Sequence, residues 1–123
     1  MNRFPLAVGA LAGAVALAGA AAPARKPPKR TPELIEQGKA TYAIYCIACH
    51  GERGAGDGSA AARLDPRPRN FSAEKFRQGE SVSQIFATLG KGVPGTAMVK
   101  FTNLPEADRW ALAWYVLDLK AGK

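Results

Sequence analysis

In three stretches of the sequence, apolar residues recur every three or four positions, which places them on one face of an α-helix. The first stretch opens at Thr31-Pro32-Glu33, where a capping hydroxyl, a proline suited to the first helical position and an early acid predict a helix start. Its apolar face continues to Tyr45. The pattern therefore predicts a helix that begins at about Thr31 and extends to Tyr45.

Two more helices are predicted in the second half of the chain. One spans about residues 81–91, and glycines at 90 and 92 with a proline at 94 mark its end. The other spans about residues 104–120 and is apolar on two sides, so we expect one side to meet the first helix and the other to meet a ligand. The first side comprises Leu112, Tyr115, Val116 and Leu119, and the second comprises Trp110, Ala113, Trp114 and Leu117.

The segments between these helices are rich in glycine and proline and show no alternation typical of β-strands. We expect only a short helical turn at residues 73–77 within them. The pattern predicts three helices and no strand. Long loops are unusual in a compact domain unless something fills the middle, so a prosthetic group is a candidate for part of the core.

The N-terminal residues divide into two segments that precede the folded domain. Residues 1–24 carry an early arginine, an apolar run from Leu6 to Ala22 and small residues near Ala24, which predicts a secretory signal peptide. An uncleaved membrane anchor is the alternative, but the run is shorter and less apolar than the roughly 20 residues that a spanning helix prefers. Residues 25–30 (RKPPKR) follow as a basic, proline-rich leader, which we expect to be flexible and solvated. The folded domain is then residues 31–123.

The net charge of +7 does not indicate a nucleic-acid-binding protein. Four positive charges lie in the leader, and residues 31–123 contain 12 basic and 10 acidic side chains. A nucleic-acid-binding domain concentrates its positive charge on one folded face and carries a recognisable module, and neither is present here. We therefore expect no nucleic-acid partner. Contact of the leader with an anionic membrane or an acidic partner is an alternative to a solvated spacer.

The motif CIACH at residues 46–50 has the C-x-x-C-H spacing at which c-type haem is attached. Cysteines three positions apart lie on one side of a helical turn. From there Cys46 and Cys49 can form thioethers with the two vinyl groups of one porphyrin edge, while His50 offers an imidazole nitrogen to the iron. The motif predicts one covalent haem c and its iron.

Three other interpretations of the two cysteines compete with haem attachment. A structural zinc site needs four ligands, and the chain has two cysteines and one histidine. A thioredoxin-like dithiol needs a βαβ context, which the pattern does not predict. A disulfide between Cys46 and Cys49 would close too small a loop to add much stability. Export of the chain favours haem attachment, because covalent maturation is expected outside the cytoplasm.

The second axial ligand of the iron follows by elimination. Electron-transfer haems commonly take a pair of histidines or a histidine with a methionine. His50 is the one histidine of the chain, and Met98 is the one methionine left once Met1 is removed with the signal. Met98 closes the segment GVPGTAM at residues 92–98, after the second predicted helix. Its soft thioether favours ferrous iron and raises the potential, as suits an electron carrier.

Taken together, four segments of the sequence resemble bacterial class I c-type cytochromes with one haem and His/Met ligation. They are residues 46–58 (CIACHGERGAGDG), 69–71 (RNF), 92–98 (GVPGTAM) and 111–115 (ALAWY). The resemblance covers about residues 33–119. It implies an all-α, small cytochrome c fold of three to five helices around the haem, in which the N- and C-terminal helices cross.

The resemblance also implies several contacts around the haem. At the helix crossing, Gly38 and Tyr42 would meet Leu112 and Tyr115. The family often has a proline at position 59, whose carbonyl accepts a hydrogen bond from the proximal histidine; here Ser59 would supply that carbonyl. The haem would be buried by Phe71, Ile85, Leu89, Val93 and Trp114. Arg67 and Arg69 are candidates to pair with its propionates, with plain solvation of the loop as the alternative.

These features predict a monomeric, periplasmic single-electron carrier rather than an enzyme, with redox proteins such as a respiratory complex, an oxidase or a dehydrogenase as partners. Export with signal removal predicts no stable membrane insertion. Lys39, Lys91 and Lys100 are candidates to steer acidic partners, or are ordinary surface lysines. A haem enzyme or gas sensor with an open iron site is the rival, but a peroxidase would need a second histidine. A further alternative is the haem subunit of a dehydrogenase or oxidase complex.

Overall fold

The computed structural model describes residues 25–123 and shows four α-helices. They are α1 (Pro32–Tyr45), α2 (Ile47–His50), α3 (Val82–Lys91) and α4 (Glu106–Lys120), with a short 3-10 turn at Ala61–Arg63. No residue between 25 and 123 lies in a β-strand. The all-α fold class and the three long helices predicted from the sequence are confirmed.

The starts of α1 and α3 are set by capping side chains that the sequence displays. The Thr31 hydroxyl accepts a hydrogen bond from the backbone N–H of Leu34 at 3.2 Å, and Pro32 follows as the first helical residue. Ser81 and Gln84 form a capping box, in which each side chain accepts a hydrogen bond from the other residue's backbone N–H. Such caps satisfy N–H groups that the helix itself leaves unpaired, so these helices begin where predicted.

Helices α1 and α4 cross and form the largest helix–helix contact of the fold. At the crossing Gly38 is buried, and a Cβ atom built on it would lie 2.7 Å from the Ala111 carbonyl carbon and 2.8 Å from the Tyr115 Cβ. Beside it, the rings of Tyr42 and Tyr115 meet edge to face with centroids 5.3 Å apart. The predicted crossing is confirmed, and only glycine allows the backbones this approach.

The two apolar sides of α4 are used differently from the prediction. Val116, on the first side, lines the cavity that Cys46, Cys49 and His50 also line. On the second side, Trp110 stacks on Phe86 of α3 with ring centroids 3.7 Å apart, and Trp114 contacts the leader. The first side thus reaches both α1, through Tyr115, and the cavity, through Val116, while α3 and the leader cover the tryptophan side.

The leader at residues 25–30 lies along α4 instead of extending freely into solvent. The Arg30 guanidinium makes a two-point ion pair with the Asp118 carboxylate, whose side chain is only 10% exposed. The indole N–H of Trp114 donates to the Pro28 carbonyl at 3.0 Å. The leader remains exposed to solvent, as expected, but its backbone and both of its arginines have partners on α4.

Residues 73–77 do not form the expected helical turn. The chain makes a single turn slightly earlier, closed by a hydrogen bond from the N–H of Glu74 to the Asn70 carbonyl at 3.0 Å. The Asn70 Oδ1 accepts hydrogen bonds from the N–H groups of Ser72 and Ala73 at 3.2 Å each. The Glu74 carboxylate accepts the N–H of Asn70 in return at 2.8 Å. Asn70 thus caps a single turn that begins three positions earlier than expected and does not continue through residue 77.

The predicted signal peptide, residues 1–24, lies outside the described residues. Among residues 25–123, no helix combines the length and the apolar character needed to cross a membrane.

Candidate functional site

A cavity of about 360 Å³ lies between the α2 region, α3, α4 and the loops that connect them. Its wall is mainly hydrophobic and includes both cysteines, the histidine and the second methionine of the chain. The apolar side chains of the wall are Tyr45, Leu64, Pro66, Pro68, Phe71, Phe76, Ile85, Leu89, Val93, Ala97, Val99, Phe101 and Val116. A mostly apolar pocket with a few convergent polar groups is the usual form of a cofactor site.

The C-x-x-C-H motif forms the turn of helix that carries these groups into the wall. The N–H groups of Cys49 and His50 both donate to the Cys46 carbonyl, at 3.2 and 2.8 Å. This turn puts the two thiols and the imidazole on one wall of the cavity, as the spacing predicted. Cys46 and Cys49 do not form a disulfide bond with each other; Cys46 is buried and Cys49 is half-buried.

The loop after the motif is fastened back onto that turn. The N–H groups of Gly56, Gly58 and Ala60 donate to the carbonyls of His50, Cys49 and Ala48, respectively, at 2.8–3.2 Å. The buried Tyr42 hydroxyl donates to the carbonyl of Gly51 at 2.7 Å. These bonds fix the short helix α2 from one side, although it has only four residues and could not be stable alone.

His50 is half-buried, and its ring presents one free nitrogen. Its Nδ1 lies 3.4 Å from the carbonyl oxygen of Arg69, which can only accept a hydrogen bond, so Nδ1 carries the proton. Nε2 then keeps its lone pair. Burial lowers the pKa of His50, and the Arg69 carbonyl offsets part of this effect. The neutral ring, with Nε2 unprotonated, is the form that ligates a metal.

The hydrogen bond of His50 corrects one expectation of the sequence analysis. Ser59 was expected to supply the carbonyl, and the structure places the Arg69 carbonyl there instead. The Phe71 ring lies against the His50 ring with centroids 4.7 Å apart. The RNF segment at residues 69–71 therefore orients the imidazole from two sides.

Met98 reaches the cavity from a tight loop after α3. The N–H of Val93 donates to the Met98 carbonyl at 3.0 Å and closes the loop. Inside it, the Thr96 hydroxyl donates to the Val93 carbonyl at 2.7 Å and accepts the Met98 N–H at 3.1 Å. Met98 is half-buried in the cavity wall. The structure thus brings Cys46, Cys49, His50 and Met98 to one cavity.

The environment of Cys46 does not suit thiol redox chemistry. Burial, with a smaller contribution from the neighbouring Cys49, raises the pKa of Cys46 to about 12. Reactive dithiols need a lowered thiol pKa, because the thiolate is the nucleophile. The all-helical surroundings also lack the βαβ context of a thioredoxin-like site among residues 25–123.

Four of the five side chains expected to bury the ligand line the cavity, namely Phe71, Ile85, Leu89 and Val93. Trp114 does not: it lies on the far side of α4 against Pro28, so that part of the prediction is wrong. Other residues of the cavity wall were not predicted from the sequence. Leu64, Phe76, Phe101 and Val99 come from loops without a regular apolar period, and no local signal identifies them.

Three arginines line the polar margin of the cavity. Arg67 and Arg69 were predicted there, and Arg77 joins them. Arg69 is half-buried and pairs with Glu74 at 3.1 Å, whereas Arg67 and Arg77 are exposed. The lysines considered as steering charges, Lys39, Lys91 and Lys100, are all exposed and lie outside the cavity wall.

The donor set and the wall fit a c-type haem. Two thiols at the attachment spacing, a neutral imidazole with a free Nε2 and a thioether line the cavity, while arginines at its margin match propionate carboxylates. Within residues 25–123 there is no group of three or more histidine, cysteine, aspartate or glutamate side chains arranged to hold a metal ion by themselves.

Comparisons with known proteins agree with this geometry. Residues 33–116 match the family described as cytochrome c oxidase, cbb3-type, subunit III. A chain from the Kuenenia stuttgartiensis reducing HAO-like protein complex has a similar structure, with a TM-score of 0.71 and 33% sequence identity over 76% of the present chain. The present chain spans about half of that chain, 47%. The comparison with curated proteins found no match.

The family match covers more than half of the chain and includes the attachment motif, the cavity and the α1–α4 crossing. Domains of this kind bind haem and transfer electrons, and are not enzymes by themselves. The protein therefore belongs to the cytochrome c family and is a class I c-type cytochrome.

Proposed function

We propose that the protein is a periplasmic single-electron carrier in which one haem c is bound covalently to Cys46 and Cys49, with His50 and Met98 as axial ligands of the iron. The observation that carries the proposal is the shared cavity: all four side chains line one largely apolar space. When bound, haem supplies a reversible one-electron couple at its iron.

The protein's own residues would keep both oxidation states in one geometry. The Arg69 carbonyl holds the His50 ring through Nδ1, and the closed loop at residues 92–98 holds Met98. The apolar wall excludes water and lowers the local dielectric constant, which disfavours the extra positive charge of ferric iron. A thioether ligand acts in the same direction. Both effects favour a raised reduction potential.

Electrons would enter and leave where the cavity wall reaches the surface. Tyr45 and Val99 line the cavity and are 45% and 62% exposed, and the half-buried Cys49 lies on the same wall. An apolar edge of this kind gives up its water readily when a redox partner docks, and so permits close approach. The exposed Lys100 follows Val99 and would favour an acidic partner surface.

The remaining parts of the proposal concern the whole chain. Residues 1–24 would direct export and be removed, leaving the leader at 25–30 and the cytochrome domain at 31–123. Covalent haem attachment would then take place in the periplasm. The mature protein would be a monomer that exchanges electrons with a respiratory complex, an oxidase or a dehydrogenase.

A second candidate keeps the chemistry and changes the setting. The family is described as a subunit of an oxidase, and the similar structure comes from a protein complex. The present chain would then be the haem subunit of a larger assembly. Purification from the native host at low ionic strength distinguishes the two: a free carrier elutes at about 10–13 kDa, whereas a subunit co-elutes with a larger enzyme.

The haem itself is tested on protein matured in a secretion-competent host. We expect a pyridine haemochrome spectrum of c-type haem and an intact mass that includes one haem and lacks residues 1–24. A colourless protein, or a mass without haem, would overturn the proposal.

Replacing Met98 with alanine tests the second axial ligand. The Met98→Ala protein should keep covalent haem, lose the weak sulfur-to-iron charge-transfer band of the ferric state, bind carbon monoxide when reduced and show a lower potential. These changes follow because the substitution removes the axial sulfur ligand of the iron. The covalent bonds between the haem and the two cysteines, and the bond from His50 to the iron, remain. If the parent protein already lacks the band and binds carbon monoxide equally well, the iron has an open site and the gas-sensor alternative applies.

A further inference from the structure

A glutamine outside every motif of the sequence braces the loop that carries Met98. Gln78 lies in the turn just before α3 and is half-buried in the cavity wall. Its Nε2 donates to the Gly92 carbonyl at 3.2 Å, and its Oε1 faces the Thr88 hydroxyl at 3.2 Å. One side chain thus connects the turn before α3 with the end of α3.

The orientation of the amide follows from its partners. The Gly92 carbonyl is an acceptor only, so the nitrogen of the amide must face it. The Thr88 hydroxyl also lies 3.0 Å from the Gln84 carbonyl and has a single proton to share between the two oxygens. The hydrogen bond from Gln78 Nε2 to the Gly92 carbonyl is therefore the stronger of the two that the amide makes.

Gly92 is the point at which the chain leaves α3 and enters the loop to Met98. Its N–H donates to the Thr88 carbonyl at 2.7 Å and ends the helix, and its φ of +71° turns the chain sharply. A Cβ atom at this position would lie 2.7 Å from the Met98 carbonyl oxygen, so the two ends of the loop touch here. A displacement of Gly92 would be transmitted directly to Met98.

We propose that Gln78 is a positioning residue, which holds Gly92 and thereby keeps the Met98 thioether in place for the iron. The proposal rests on the proposed ligation by Met98. Gln78 itself touches the loop and the cavity wall, and acts on the iron through Met98. Loss of its bond would loosen the loop and make Met98 easier to displace, while leaving the capped helix α3 intact.

The test is competition between Met98 and added imidazole for ferric iron in the holoprotein. A single hydrogen bond is worth about three- to tenfold in an equilibrium constant, so Gln78→Leu should bind imidazole about three- to tenfold more tightly than the parent. It should also weaken the sulfur-to-iron charge-transfer band and lower the potential. Gln78→Glu keeps the size of the side chain but lacks the N–H, and should weaken the bond between Met98 and the iron at least as much as Gln78→Leu does.

Gln37 supplies the matched control. Its amide donates to Asp108 across α1 and α4, and it lies outside the cavity wall. Gln37→Leu removes one glutamine hydrogen bond elsewhere and should leave imidazole affinity and the charge-transfer band at parent values. An equal change in Gln37→Leu and Gln78→Leu would show a general loss of stability and overturn the positioning role.

The Met98→Ala protein separates failure of this inference from failure of the proposed function. If Met98→Ala binds imidazole far more tightly than the parent while both Gln78 variants match the parent, Met98 is a ligand and the inference about Gln78 is wrong. If Met98→Ala binds no more tightly than the parent, the ligation by Met98 is wrong and the role of Gln78 fails with it.

Discussion

At Gly38 the crossing of α1 and α4 leaves no room for a side chain. The missing Cβ would lie 2.8 Å from the Tyr115 Cβ, and both backbones are held in long helices. We expect Gly38→Ala to lower the free energy of unfolding by about 1–2 kcal/mol, because the overpacking cost exceeds the gain in helix propensity. Denaturant unfolding of the holoprotein measures this change.

Gly90 in α3 provides the control for that substitution. A Cβ atom there would meet only the guanidinium end of Arg109, at 3.1 Å, and this long side chain can move aside. Gly90→Ala should therefore raise the free energy of unfolding by about 0.5–1 kcal/mol. Equal effects of the two substitutions would show that helix propensity, and not the close crossing, governs both positions.

Single residues also show how far the sequence predicts the site. Cys46, Cys49 and His50 could be predicted to share one wall because they lie within one helical turn. The carbonyl that accepts the hydrogen bond of His50 could not be predicted. It belongs to Arg69, which lies 19 positions away, and its approach depends on how an irregular loop folds back. For the same reason no local pattern identified Gln78.

Among the elements, the leader and α4 form a pair that the sequence analysis did not predict. Helix caps and apolar periods act within a few residues and predicted the helices themselves. The docking of Arg30 on Asp118 spans 88 positions and needs both partners to be placed by the α1–α4 crossing. Proline and charge in the leader predicted, correctly, that it stays exposed to solvent, but they carry no information about what it touches.

This pairing predicts a difference between two arginines of the leader. Arg30 pairs with the largely buried Asp118, whereas the pair of Arg25 with Glu106 is exposed, with 70% of the Arg25 side chain accessible. Arg30→Ala should lower the unfolding temperature, because it leaves the Asp118 carboxylate without its partner, and Arg25→Ala should leave that temperature unchanged.

A protease readout tests the docking of the leader separately from global stability. In the parent, the Arg30 side chain is engaged with Asp118, so trypsin should cleave the bond after Arg30 slowly. Asp118→Asn keeps the shape of the side chain but removes its charge, and should speed that cleavage. The same cleavage rate in both proteins would show that the leader is not held on α4.

At the scale of the whole molecule, the helices surround a core of packed side chains and an apolar cavity that reaches the surface. Buried side chains from α1, α3, α4 and the loops form one cluster, and the cavity of about 360 Å³ opens within it. Small domains have a free energy of unfolding of only about 5–15 kcal/mol, so burial of this apolar wall against a bound haem would be a large part of the stability of the fold.

Removing both attachment cysteines tests this dependence. We expect Cys46→Ala with Cys49→Ala to lack covalent haem and to lose most of its helical circular dichroism and its cooperative unfolding transition, because the apolar wall of the cavity would face water. Met98→Ala, which should keep covalent haem, is the matched control and should retain both signals. A haem-free double variant that keeps parental helicity and unfolds cooperatively would show that the four helices hold together without the porphyrin. The apolar wall would then be a binding surface on a fold that is stable by itself, and the haem would not be needed to complete the core.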